Sequence, residues 1–275
     1  MLEPPVFVAS TILLIWASLP GANPLLATFR PVWRVFTRKK YFLYIAAGLS
    51  VIFIDVALTA IDHTFTDAVI KSRGQDFTAL IWAMERDFIR HFQKWTWTPL
   101  TWYMGWAYVI VFPAMVPWAM AVFDYLGEVR RNVALLIGYI MNYVLVLPFY
   151  IFFPVRECHV FDSPSGEQFV RLTLDDVHPA IMTILRPMSG IDNCFPSFHT
   201  SLAVTVALFA IRSGRRAFAA VMTAMAVSVI VSTMYLGIHW ITDVGAGIIV
   251  GVLAYLIGEW LGRKVHGRLS APGAQ

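Results

Sequence analysis

The sequence predicts an all-α polytopic membrane helix bundle, and three observations carry that reading. Only 14 % of the 275 residues are charged while 58 % are hydrophobic, and the mean hydropathy is +0.66; a soluble domain carries about 25 % charged residues. Apolar runs of bilayer-spanning length recur along the chain, a span requiring ~20 residues. The basic clusters sit in the short connections of one side, the pattern that orients a membrane protein.

Taken in order, the runs predict spans near Val6 to Thr28, Tyr41 to Ile61, Thr98 to Phe123, Val133 to Phe153, His199 to Ile211, Ala217 to Ile238 and Ile241 to Leu261. Glu3 precedes the first run without a basic segment, so it reads as retained rather than as a secretory signal. Leu19-Pro20-Gly21 can break it, which leaves seven spans if it crosses and six if it only enters the bilayer. Pro99, Pro113, Pro117 and Pro148 are expected to kink or end helices, having no N–H to donate. The fifth run is short unless Cys194 to Phe198 supplies its first turn. The expected organisation is an N-terminal membrane segment with its basic connection over 1–40, a catalytic membrane domain over 41–268 and a disordered tail over 269–275.

Arg30, Arg34, Arg38, Lys39 and Lys40, then Arg130 and Arg131, then Arg212, Arg215 and Arg216, then Arg263, Lys264 and Arg268 all fall on one side of a seven-span chain. The positive-inside rule assigns that side, and with it the C-terminus, to the cytoplasm. The expected setting is a plasma or inner membrane of the cell envelope. Two long connections and the turn at His239 then face outward. The first contains Phe77 to Phe92, whose apolar residues recur at helical spacing, and it is followed by Trp95, Trp97, Trp102 and Trp106. This predicts an interfacial amphipathic helix, serving either to cover span ends or to admit lipid. The second, Pro154 to Pro196, carries Cys158 and Cys194 near its two roots, which predicts a disulfide fastening the loop in an oxidising compartment.

Asp55 stands alone inside the second run and reads as a packed polar contact more than a catalytic group. No dinucleotide motif, phosphate-binding loop or metal-ligand spacing occurs, so no cofactor and no metal are expected. The charge of +4 comes with no nucleic-acid signature, and membrane lipids are the expected surroundings.

The chemistry concentrates in two clusters bracketing the fifth and sixth runs. His239 and Asp243 share a helix face at i, i+4. A carboxylate bonded to one imidazole nitrogen fixes the tautomer and leaves the other nitrogen basic, able to attack phosphorus. His199, in Pro196-Ser197-Phe198-His199, is the candidate acid for the departing oxygen. Ser197 is either a phosphate donor or an ordinary helix cap. Interfacial histidines satisfying helix ends are the bland alternative. A transporter centred on Asp55 is the competing class.

Pro196-Ser197-Phe198-His199 resembles the Pro-Ser-Gly-His motif of the type 2 phosphatidic acid phosphatase (PAP2) superfamily, and Tyr235-Leu236-Gly237-Ile238-His239 through Asp243 resembles its final histidine/aspartate motif. Phe195 to His199 followed by Ser232 to His239 is most similar to the inositol phosphorylceramide synthase branch. The resemblance implies a six-helix core beginning near Tyr41, with His239 as nucleophile, Asp243 as its orienting carboxylate and His199 as acid. It implies a phosphohistidine intermediate formed on a phospholipid or polyprenyl phosphate, and an acceptor that is water or an alcohol. Inositol phosphorylceramide synthase-like headgroup transfer and processing of a polyprenyl-linked phosphosugar are the narrower alternatives. Thr233 stands where phosphatase members have arginine, and Pro179 where they have lysine. Arg186, Arg171 and less directly Arg156 are therefore the candidates to supply positive charge to the phosphate. A branch-specific Pro-Pro pair is missing from Phe152-Phe153-Pro154-Val155-Arg156.

Overall fold

In water-poor surroundings backbone polar groups must pair within their own segment, so long apolar runs become helices. The computed structural model describes residues 4–23, 25–26, 76–162, 170–177, 181 and 194–269. Helix α1 covers Pro4–Ser18, α2 Thr78–Glu85, α3 Phe88–Gln93, α4 Thr98–Tyr125, α5 Val129–Phe152, α6 Phe198–Arg212, α7 Arg216–Tyr235 and α8 Ile241–Leu269. Among the described residues, α4, α5, α7 and α8 are long and apolar enough to cross a membrane, the signature of an integral membrane protein. The expected second span with Asp55, the basic connection at 30–40, Pro179, Arg186 and residues 270–275 lie outside the described residues.

Three local departures from the sequence reading have physical causes. The amphipathic segment forms two short helices, because Arg86 takes φ +52° and ends α2 two residues before α3 begins. Helix α4 widens into a π turn over Ala107–Val111 just before Pro113, where an α-helical ladder loses a donor. Helix α6 starts at Phe198 with Ser197 as its N-cap, so Cys194 to Ser197 remain outside it.

Helix α8 is the central element. Its packing against α6 depends on Gly247, where a Cβ would come 2.6 Å from Ser197 O, and Gly251, where it would strike Ser201 O. Its packing against α5 depends on Gly258 and Gly262, whose added Cβ atoms would sit 2.6 Å from Ala134 O and Ala134 Cβ. Small residues at these spacings let backbones approach where no water drives association. Polar glue adds to this: Asn142 Nδ2 donates to Thr205 Oγ1 at 3.0 Å, and Thr205 Oγ1 lies 3.0 Å from Gly251 O, linking α5, α6 and α8. On the other side, α1 joins α4 through Trp106 Nε1 to Ser10 Oγ, 3.1 Å, and Trp118 Nε1 to Ser18 Oγ, 3.0 Å.

Because α6 and α8 run the same way with α7 returning between them, the starts of α6 and α8 meet at one end of the bundle. That end is covered by α2, α3 and residues 154–162 and 170–177.

Candidate active site

The turn from α7 to α8 is built to hold His239 rigidly. Gly237 takes φ +80°, and a Cβ there would come 2.7 Å from Arg171 O, so conformation and space both require glycine. Thr233 O accepts from Ile238 N at 3.0 Å and His239 N at 3.1 Å. The long connection bonds the outer edge of the turn: Thr173 N donates to Leu236 O, His159 N to Gly237 O and Cys158 N to Ile238 O, at 3.2, 2.9 and 3.2 Å.

The orphan amides at the start of α8 are met by two carboxylates. Asp243 Oδ2 accepts from Trp240 N at 2.8 Å, the return half of a capping box. Glu85, from α2, accepts from Ile241 N at 2.9 Å through Oε2 and from Thr242 N through Oε1. A negative group here also complements the helix dipole. Burial raises Glu85 above the ordinary carboxylate value, opposed by its bonds to Thr242 and Ile241.

His199 enters from the first turn of α6. Ser197 Oγ accepts from Thr200 N at 3.2 Å, and Ser197 N donates to Asp243 O at 3.0 Å, tying the two helix starts together. The His199 ring stacks on Tyr108 with centroids 4.6 Å apart and lies 4.3 Å from the Phe112 ring, both at the π turn of α4. His199 Nδ1 faces His239 Nε2 at 3.3 Å. The opposite nitrogen, His239 Nδ1, lies 3.4 Å from Asp243 Oδ2 and 3.1 Å from Cys194 Sγ. His239 and Asp243 are both buried. Burial pulls His239 down to about 3, with a bond to the Cys194 backbone opposing, so the ring is a neutral imidazole at physiological pH. A neutral, oriented imidazole with one nitrogen tied and the other beside a second imidazole can act as a nucleophile or a base. Cys194 Sγ, His239 Nδ1 and Asp243 Oδ2 also lie within 4.8 Å of one another.

Residues 133–264 match the PAP2 superfamily, a stretch that runs from α5 into α8 and contains both histidines, Cys194 and Asp243. Over that stretch the chain is similar to the PAP2 superfamily. No curated protein and no solved structure matches the chain. The His/Cys/Asp cluster within the matched stretch is consistent with the phosphatase or phosphotransferase chemistry of that superfamily.

The fold brings together His199, His239, Asp243 and Ser197 from the sequence reading. Arg171 reaches the site only with its backbone, which pairs with the Gln93 side chain; its guanidinium forms a bidentate pair with Asp176 at 2.6 and 2.7 Å on the surface. Arg156 lies 3.0 Å from Asp76, while its carbonyl accepts from Trp240 Nε1. The expected disulfide is overturned: Cys158 and Cys194 are free, buried thiols. They share an apolar cluster with Trp240 and Val244, but the Cys194 sulfur is turned to Ile238 O, His239 Nδ1 and Asp243 Oδ2 instead of to its fellow cysteine.

Glu85, Tyr108 and Phe112 escaped the sequence reading, and Cys194 entered it only as a disulfide partner. Glu85 offered one signal, an acid in the last turn of an otherwise apolar helix, where it opposes the helix dipole unless an outside partner exists.

Proposed function

We propose that this protein is a membrane lipid phosphatase or phosphotransferase that acts on a phospholipid or polyprenyl phosphate through a phosphohistidine at His239. The observation that carries the reading is the division of the His239 ring, with Nδ1 toward Asp243 and Cys194 and Nε2 toward His199.

In the forward step Nε2 attacks phosphorus and an N–P bond forms as the bond to the leaving oxygen breaks. Protonated His199 gives its proton to that oxygen, so the leaving group departs as an alcohol. In the second step His199, now neutral, takes a proton from water or an alcohol; the resulting oxygen attacks phosphorus and the N–P bond breaks. Asp243 holds the ring and balances the positive charge that the imidazole carries in the intermediate. The 3.3 Å separation between the two histidines leaves no room for a phosphoryl group, so the rings separate when substrate enters.

Ser197 and the first amides of α6 are the phosphate donors in this reading, in keeping with anion binding at a helix start. Thr200 Oγ1, buried without a partner among the described residues, lies in the same turn. Arg186 supplies positive charge, and Arg171 contributes only by leaving Asp176. The basic clusters favour an active site on the extracytoplasmic face with the C-terminus in the cytoplasm. Hydrolysis and transfer share all of these groups, so the acceptor is chosen by water access to the pocket. Inositol phosphorylceramide synthase-like transfer and polyprenyl-linked phosphosugar processing are the narrower forms of the proposal, resting on the Phe195 to His199 and Ser232 to His239 motifs.

Purified protein is to be offered glycerophospholipids, phosphosphingolipids and polyprenyl phosphates while inorganic phosphate and transferred headgroup are measured together. Phosphate release identifies hydrolysis, and a labelled headgroup on a second lipid identifies transfer. The absence of both across all three classes refutes the proposal.

A further inference from the structure

Deepening the His239 mechanism on which it rests, we infer that Cys194 is a positioning residue that joins Asp243 to His239 and holds the imidazole in its Nδ1–H tautomer. The sulfur lies 2.8 Å from Asp243 Oδ2, 3.1 Å from His239 Nδ1 and 3.2 Å from Ile238 O. The direct contact between His239 Nδ1 and Asp243 Oδ2 is 3.4 Å, at the long end for an N–H···O bond. Carboxylate and ring are therefore connected more closely through the thiol than to each other.

A thiol has one hydrogen to donate and lone pairs that accept. With S–H donating to Asp243 Oδ2, the sulfur accepts from His239 Nδ1–H, and His239 Nε2 is left bare on the side facing His199. Burial holds the Cys194 thiol well above its usual value, so it keeps the proton this arrangement needs. Its backbone is fixed on both sides: Cys194 N donates to Val155 O at 3.0 Å, Tyr150 Oη to Pro196 O at 3.2 Å, and Ser197 N to Asp243 O at 3.0 Å. The thiol is thus presented to the ring by the segment that also starts α6. Asp243 Oδ2 already accepts from Trp240 N, and its other oxygen has no partner among the described residues. The carboxylate is accordingly fixed by the cap and the thiol, and the ring is fixed in turn by the thiol.

The test compares Cys194→Ala and Cys194→Ser with the wild type by steady-state kinetics, by 15N spectra of the His239 ring and by the infrared S–H stretch. The wild-type S–H band is expected at the low frequency of a strong donor and to move in D243N. C194A is expected to lose the dominant Nδ1–H signal and to drop kcat by about 10- to 100-fold with KM changed less than about twofold, as for loss of a group that orients a reacting one. C194S, which keeps a donor and an acceptor, is expected to recover the tautomer and most of kcat. A C194A protein with the wild-type tautomer overturns the inference, as does an S–H band that ignores D243N. The spectra need no turnover, so they decide this point even if no lipid phosphate proves to be a substrate. If C194A fails to fold, C194S and the S–H band still decide it.

Discussion

Replacing Glu85 with alanine removes a group that lies outside the matched domain yet holds the start of its last helix. Two amides, those of Ile241 and Thr242, lose a carboxylate partner. Bonds to a charged group contribute about 1.5–3 kcal/mol each when fully desolvated. Glu85 is only partly buried, so water re-forms much of what is lost. A net cost of about 1–2 kcal/mol in ordering the turn is the reasonable figure after screening. If that cost falls on the alignment of His239 and Asp243, kcat/KM drops by about 5- to 30-fold, each ~1.4 kcal/mol being tenfold. The assay is steady-state turnover of a lipid phosphate in mixed micelles, with a thermal melt run on the same preparation. E85Q keeps one acceptor for these two amides, puts a donating NH2 in place of the other and carries no charge, and is expected to fall between E85A and the wild type. An E85A enzyme that melts normally and turns over at the wild-type rate would refute the idea that α2 positions the turn.

Other consequences follow from the same geometry. The free enzyme needs His239 neutral, and its depressed pKa keeps it so as pH falls through the ordinary imidazole value of 6.5, so the nucleophile gives kcat/KM no acid limb there; the acid limb is expected as Glu85, raised above 4.5, takes up its proton, and the alkaline limb as His199 loses the proton it must donate. In E85Q that acid limb should move to lower pH, and a wild-type enzyme that loses activity on acidification through the ordinary imidazole value would contradict the burial of His239. G247A places a methyl group 2.6 Å from Ser197 O and pushes α8 from α6, which should cost about 1–3 kcal/mol by overpacking and depress activity further than the melt alone accounts for. T205V removes the hydroxyl shared by Asn142 and Gly251 and should lower stability by about 0.5–2 kcal/mol, with kcat nearly unchanged, read by thermal melting in detergent.

The sequence was most informative where physics is local. Bilayer length sets the helices: the runs expected near Thr98 to Phe123 and Ala217 to Ile238 correspond to α4 and α7 with ends shifted by two or three residues. The i, i+4 spacing of His239 and Asp243, and the hairpin returning His199 to the same end, likewise need only helix periodicity and span length. What was illegible depends on partners far apart in the chain. Glu85 and Thr242 meet across 157 positions, and no periodicity connects an acid on a short helix to amides at the start of another. The cysteines misled for a related reason. Oxidising surroundings and loop-root positions are compatible with a disulfide, whereas the sulfur of Cys194 is directed by the fixed backbone of 194–197 toward the His239 ring. Tyr108 and Phe112 meet His199 across some 90 positions of chain, and an aromatic within the apolar run of α4 carries no mark of the distant ring it packs on.

The central claim is that His239 carries the phosphoryl group, and rapid acid-free quenching during turnover of a phosphorus-labelled lipid, followed by peptide mass spectrometry, tests it most directly. An acid-labile phosphoryl adduct is expected on the peptide containing His239, absent in H239A and accumulating in H199A when the leaving group is good enough to depart unprotonated. Label on another residue, or undiminished turnover by H239A, would contradict it.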